Sequence, residues 1–109
     1  MSKAIFKLQP APTFTVPVEI PRHGEEPAKI KVTFKHKSRE ELAEFTERAG
    51  HSNAEQDVAL MREMIADWEG PDMEFGDEAI QLLIQNYQGA VPALVQAYVV
   101  ELMQARRKN

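Results

Sequence analysis

The amino-acid sequence predicts an α+β fold in which an N-terminal two-stranded β-hairpin packs on about four C-terminal α-helices. Two changes coincide at Lys37–Ser38 and support this prediction. Apolar residues recur at every second position before this point and at helical spacing after it. The charge changes too. Residues 1–37 carry seven Lys/Arg and three Asp/Glu, a net of +4, whereas residues 38–105 carry three Lys/Arg and fourteen Asp/Glu, a net of −11.

The 109 residues are predicted to form one domain preceded by a short segment. Residues 1–11 form a flexible N-terminal arm. Residues 12–109 form a single α+β domain, with the hairpin at 12–37 and the helical body at 38–109. The arm carries three apolar residues, which are expected to dock on the chain's own core or on a partner: Ile5, Phe6 and Leu8.

The first strand is predicted at about Thr13–Ile20 and the second at about Ala28–His36. Residues 21–27 are predicted to form a loop that is too long for a two-residue turn. Pro17 occupies an outward position, which marks the first strand as an edge strand. A lone hairpin is only marginally stable in water, so the even-numbered apolar face is expected to be buried under the helices. That face consists of Phe14, Val16, Val18, Ile20, Ile30, Val32 and Phe34.

Capping residues and helical spacing predict four helices. Ser38 begins a capping box, and Asn53 and Asp77 are the predicted caps of the second and third helices. The helices are expected at about Arg39–Ala49, Ala54–Trp68 and Glu78–Tyr87, followed by a last helix that has Pro92 in its first turn and continues to about Arg107.

No residues stand at the spacing that catalysis or metal binding requires. The chain has no cysteine, which excludes disulfides, thiolate chemistry and zinc–thiolate sites. The three histidines have no partner at metal-ligand spacing, and the acidic residues at 72–78 miss the calcium-loop pattern. The five glycines are dispersed, so there is no phosphate-binding loop. We expect no enzymatic activity, no cofactor, no metal and no membrane-spanning segment.

Four lysines share the outward face of the second strand and its end: Lys29, Lys31, Lys35 and Lys37. One interpretation is a basic contact ribbon for an acidic partner or phosphate. The other is protection of an exposed strand against edge-to-edge aggregation. Docking of the ribbon on the acidic body of a second copy predicts a weak homo-oligomer. A net charge of −4 opposes nucleic-acid binding by the whole molecule.

The last helix is predicted to contact a partner. Val95, Val99 and Val100 give it more apolar circumference than one buried face requires. Extra apolar surface on a small domain indicates an interaction site. The predicted partner-binding residues are Tyr98, Leu102, Arg106 and Arg107.

Two segments resemble the tail assembly chaperones of long-tailed phages and prophages. They are Phe34–Leu42 (FKHKSREEL), and Asn86–Ala90 (NYQGA) leading into an aromatic-bearing final helix that ends ARRKN. The resemblance extends from about residue 12 to the end. Gln88 stands where the resemblance implies a proline in many relatives, a departure that affects only helix entry.

The resemblance implies a non-enzymatic protein of the host cytoplasm that is absent from the mature virion. It implies binding to the tape measure protein and help in assembling that protein with tail tube subunits. It also implies that some members have a longer form made by ribosomal frameshifting. The alternative is a small phage-derived structural or regulatory interaction module, one form of which associates with nucleic acid through the basic hairpin.

Overall fold

The computed structural model describes residues 4–104, with side chains as far as Met103. The predicted α+β class is confirmed, but the sheet has three antiparallel strands in the order β1-β2-β3 instead of two. The predicted end of the last helix at Arg107 lies outside the described residues. The elements are β1 (Thr13–Arg22), β2 (Glu25–Lys35), α1 (Arg39–Ala49), α2 (Ala54–Met64), β3 (Ile65–Glu69), α3 (Asp77–Asn86) and α4 (Ala90–Gln104).

The turn between β1 and β2 is tight, so the prediction of a long loop at 21–27 is wrong. Arg22 pairs with Glu25, which leaves two residues in the turn. The second of them, Gly24, has φ of 75°, a left-handed conformation that glycine adopts without steric cost. The pairing register shifts between Ile20 and Arg22. The two strands are paired on both sides of this irregularity, as far as Arg22 and Glu25.

β1 is an edge strand, as Pro17 predicts. The amide of His36 donates to the carbonyl oxygen of Pro12 at 2.9 Å, which sets the hydrogen-bonded pairs of the ladder. These pairs alternate with non-bonded pairs, and the register is regular from Thr13 to Ile20. The pair Pro17–Lys31 is therefore a non-bonded one. The nitrogen of Pro17 faces the open edge, where a missing N–H removes no ladder hydrogen bond.

The predicted helix over Ala54–Trp68 is too long, because α2 ends at Met64 and the chain continues as β3. The amide of Ile65 still donates to the carbonyl oxygen of Met61 and closes the helix. β3 then pairs with the second edge of β2 and satisfies backbone groups that a two-stranded hairpin would leave open. β2 is consequently the central strand.

One face of the sheet forms the core, and the predicted burial of the even-numbered residues is confirmed. Phe34 and Val32 have no exposed surface, and Phe14 is half-buried at the margin. Helix α4 packs along β1, and α2 contacts both β2 and β3. The remaining large core residues come from all four helices and from β3: Phe45, Met61, Met64, Ile65, Ile80, Leu94 and Tyr98.

Local capping explains where two of the helices begin. The amide of Glu41 donates to the Ser38 hydroxyl at 3.3 Å, and the Ser38 amide donates to the Glu41 carboxylate at 2.9 Å. Asn53 forms the same reciprocal box at the start of α2. Asp77 is not the cap of α3, because the helix begins one residue earlier than predicted and Gly76 occupies the cap position. The Asp77 carboxylate instead lies 3.2 Å from Arg62.

Candidate partner-binding surfaces

Tyr98 lies in the core, so the prediction that it belongs to an exposed part of the last helix is wrong. Its ring is fully buried and packs at centroid distances of 5.0 Å from Phe34 and 5.6 Å from Phe45. Its hydroxyl donates to the carbonyl oxygen of Lys35 at 2.5 Å. Burial raises the pKa of Tyr98 above its usual range. Tyr98 therefore joins α4 to the end of β2 and is not available to a partner.

One turn further along α4, the helix is accessible. Leu102 is half-buried, and Met103 is 70% exposed. The two side chains border a groove of about 610 Å³ together with Leu42 and Ala43 of α1. We call this the α1–α4 groove; it is lined by His36, Lys37, Ser38, Arg39, Leu42, Ala43, Thr46, Leu102 and Met103. Arg106 and Arg107, the other two predicted contact residues, lie outside the described residues.

The α1–α4 groove has an apolar floor and a basic entrance. His36 and Arg39 are exposed at this entrance. Lys37 is committed elsewhere, since its amino group lies 2.7 Å from the Glu63 carboxylate and 5.4 Å from the centre of the Phe45 ring. The groove thus offers apolar contact with positive charge at its rim.

An ion-pair cluster attaches the segment between β2 and α1 to helix α2. Arg48 makes two hydrogen bonds to Glu63, at 3.0 and 2.8 Å, and Lys37 pairs with the same carboxylate. The hydrogen bonds from Arg48, and then the one from Lys37, lower the pKa of Glu63 to about 2 against the opposing effect of burial. Lys37 therefore has a structural role and is not part of an open ribbon.

The other three lysines of the predicted ribbon are exposed, as expected. They do not form an isolated basic stripe, because the strands on either side carry acidic residues. Glu19 stands directly opposite Lys29, and Glu69 stands directly opposite Lys31. The interpretation of the ribbon as edge protection is wrong, since β2 is the central strand. The outer face of the sheet is of mixed charge.

A second groove lies at the hairpin-turn end of the sheet, and sequence analysis did not find it. It has a volume of about 460 Å³, and Trp68 and Met73 face Leu82, Leu83 and Tyr87 across it. We call it the Trp68 groove. Leu82 and Tyr87 remain 46% and 39% exposed. Placing Trp68 in a helix concealed this groove, because only β3 and the turn after it bring that ring opposite α3.

The Trp68 ring is held in place by the turn that follows β3. Its ring nitrogen donates to the carbonyl oxygen of Met73 at 2.9 Å, and Phe75 packs edge-on at 5.2 Å. Gly70 allows this turn to pass over the sheet. It has φ of 124°, and a Cβ there would lie 3.0 Å from Cγ2 of Ile30. The wall of the groove is therefore rigidly positioned.

The part of the chain between residues 4 and 104 contains no cluster of three His, Asp or Glu side chains that is arranged to hold a metal ion. The helices in this part are all too short or too polar to cross a bilayer.

Comparison with known proteins identifies one family. The family model for phage tail assembly chaperones matches residues 1–109, the whole chain. No match is found among the curated proteins or the solved structures. The match covers both grooves, the sheet and the arm. The chain therefore belongs to the phage tail assembly chaperone family.

Proposed function

We propose that this chaperone binds the tape measure protein during tail assembly and keeps it soluble. The resemblance implies that the tape measure protein is long, largely helical and prone to aggregate before it enters the tail. A holdase for such a partner requires apolar surface and reversible contact rather than a reactive group. The chain offers such surface at the end of α4, where Met103 is 70% exposed.

The α1–α4 groove is the proposed contact, and its shape suits an amphipathic helix. Leu102, Met103 and Leu42 provide an apolar floor that runs between two helices. Recognition of this kind uses apolar anchors spaced by about one helical turn. The exposed His36 and Arg39 favour acidic side chains beside those anchors. The sequence carries two further positive charges shortly after Met103, at Arg106 and Arg107.

The wider role follows from the same proposal. The chaperone acts without catalysis in the host cytoplasm, whether expressed from a phage or a prophage. It brings the tape measure protein together with tail tube subunits and does not remain in the mature virion. A nucleic-acid role through the basic hairpin is disfavoured, because Glu19 and Glu69 stand opposite two of its lysines.

The test is co-expression of the tape measure protein of the same phage with the wild-type chain, with Met103→Glu and with Gln96→Glu. Gln96 is exposed on α4 away from the α1–α4 groove, so its variant adds the same charge to the same helix as a control. We expect the wild type and Gln96→Glu to keep the partner soluble and to co-purify with it. Met103→Glu should do neither.

Two outcomes would test the proposed function and the proposed contact surface separately. If the tape measure protein is equally soluble with and without the chain and does not co-purify, the proposed function is wrong. If binding survives Met103→Glu but is lost with Lys31→Glu, the function stands and the contact lies on the sheet. A mostly apolar contact should also persist at moderate salt, whereas a lysine contact should weaken steeply.

A further inference from the structure

The arm leaves the fold at the entrance of the α1–α4 groove. The amide of His36, which lines this groove, donates to the carbonyl oxygen of Pro12 at 2.9 Å. That hydrogen bond holds the last residue before β1 against the groove entrance. The residues before Pro12 therefore extend from a point beside the groove and not from a distant part of the surface.

The end of α4 lies at the same corner of the fold. This helix runs antiparallel to β1, because Gly89, just before its start, adjoins Pro21, and Tyr98 stacks on Phe14 at a centroid distance of 6.2 Å. Met103 follows Tyr98 by little more than one helical turn and continues in the same direction. Met103 and the arm thus flank one opening.

The arm carries apolar side chains that are almost fully exposed. Ile5, Phe6 and Leu8 are each 85% exposed. Among the other large apolar residues between residues 4 and 103, the most exposed is Met103, at 70%. Phe6 and Leu8 stand two residues apart, so they face the same side wherever the arm is extended. The most exposed apolar side chains in the described chain therefore lie around the α1–α4 groove, which typically marks an interaction site.

The arm and the groove carry charge of the same sign. Residues 1–18 include Lys3 and Lys7 and no acidic residue. The groove is lined by His36, Lys37 and Arg39 and by no Asp or Glu. Like charges disfavour closure of the arm onto the empty groove. An acidic occupant would remove this repulsion, because its carboxylates would lie between two basic elements.

Acidic residues adjoin the groove in the sequence but do not line it. Glu40 and Glu41 lie in the first turn of α1, and Glu101 lies in the last turn of α4. The Glu41 carboxylate accepts a hydrogen bond from the Ser38 amide at 2.9 Å and closes the helix cap. The groove therefore presents basic and apolar side chains to its occupant.

The arm is long enough to pass over a helix that lies in the groove. A helix with its side chains is about 10–12 Å across. The four residues from Leu8 to Pro12 span at most about 14 Å, and the six from Phe6 to Pro12 span at most about 21 Å. Leu8 can therefore contact the side of such a helix, and Phe6 can contact its outward face.

Building on the function proposed above, we propose that the arm closes as a strap over an acidic amphipathic helix of the tape measure protein in the α1–α4 groove. Phe6 and Leu8 pack on the side of that helix that the groove leaves open. The favoured segment has apolar residues on more than one face and acidic residues between them. The strap slows release more than capture, because the helix enters an open groove and leaves a closed one.

The first test is photo-cross-linking during co-expression with the tape measure protein of the same phage. The photoreactive residue p-benzoylphenylalanine replaces Phe6 in one chain and Ala43, an exposed residue of the groove lining, in another. We expect both positions to cross-link to one segment of the tape measure protein, within about two helical turns of each other. The control position is Gln96, which is exposed on α4 away from the groove and should not cross-link to that segment.

The second test measures release of the tape measure protein from complexes held on beads. The Phe6→Ser/Leu8→Ser variant should lose the partner about tenfold faster than the wild type, because it keeps the groove but not the apolar strap. The control, Gln9→Ser/Ala11→Ser, makes two substitutions in the same arm and should release the partner at the wild-type rate.

The outcomes distinguish the strap from the function on which it rests. If the wild type binds the tape measure protein but both arm variants release it equally slowly, the strap is wrong and the proposed function stands. Cross-links from positions 6 and 43 to distant segments, or from position 6 only to a second copy of this chain, would also overturn the strap. If the wild type does not bind the tape measure protein at all, both proposals are wrong.

Discussion

The hydroxyl of Tyr98 in α4 donates a 2.5 Å hydrogen bond to the backbone carbonyl of Lys35, at the end of β2. Tyr98→Phe keeps the ring in the core but leaves that carbonyl without its donor. We expect a loss of about 1–3 kcal/mol in the free energy of unfolding, measured by urea denaturation. Tyr87→Phe is the matched control, because Tyr87 is 39% exposed and should change stability little. Equal stability of both variants would show that the hydrogen bond contributes nothing.

Phe34 is the centre of the aromatic cluster on the sheet. It is fully buried and lies 5.8 Å from Phe14 and 5.0 Å from Tyr98. Phe34→Ala should destabilise the domain by about 3–5 kcal/mol, since it removes a ring and leaves a cavity. Phe6→Ala removes the same ring from an exposed position and should change the free energy of unfolding of the monomer by at most about 0.5 kcal/mol. Thermal denaturation at low protein concentration compares them.

Gly70 and Gly50 form a natural pair for testing backbone conformation. Gly70→Ala would force a side chain into a left-handed conformation and against Ile30, which should cost about 1–3 kcal/mol. Gly50 has φ of −68°, and its nearest atoms lie 3.6 Å from the position of a Cβ. Gly50→Ala should therefore be neutral or slightly stabilising. Comparable losses in chemical denaturation would show that the turn over Ile30 is not constrained as described.

The pH dependence of stability should depend partly on Glu63. Its pKa in the folded state is about 2, below that of an unfolded glutamate near 4.3. A lowered folded pKa gives stability that is fully present above the unfolded pKa and is lost as the pH falls from about 5 toward 2. Glu63→Gln should unfold at lower urea than the wild type at pH 7, and the difference should vanish near pH 2.

The control for this pH series is Glu44→Gln. Glu44 lies 3.6 Å from the same arginine, Arg48, but its side chain is 76% exposed. An exposed pair contributes little, so this variant should follow the wild-type curve. A constant difference between Glu63→Gln and the wild type from pH 7 to pH 2 would exclude titration of Glu63 as the cause.

Local patterns were sufficient to predict part of this structure. The alternation of apolar and polar residues predicted the buried face of the hairpin, because a two-residue period places Val32 and Phe34 on the same side of the strand. The bounds of α1 were predicted correctly because the capping box at Ser38 and the stop at Gly50 act within a few residues. Pro17 identified the edge strand for the same reason.

Contacts between distant residues account for the errors. Helical spacing links Val58, Met61, Ile65 and Trp68 and predicts one long helix. Ile65–Glu69 forms a strand instead because it pairs with the open edge of β2. The sequence showed that the apolar stripe on α4 is wide. It did not show which residues of the stripe pack against the sheet. Tyr98 meets a carbonyl 63 residues earlier, and no local pattern encodes that distance. The Trp68 groove was not predicted because β3, the strand that carries Trp68, was not predicted.

Because α4 packs along β1, the first and last elements of the fold depend on each other. During synthesis the hairpin leaves the ribosome before α4, with Val16, Val18 and Phe34 facing solvent. In the part of the chain that the structure describes, the cover of this apolar face is incomplete until Leu94 and Tyr98 have left the ribosome. The core is thus completed only after α4 has left the ribosome. A chain cut short before Ala90 would expose the same kind of apolar surface that the chaperone is proposed to shield in its partner.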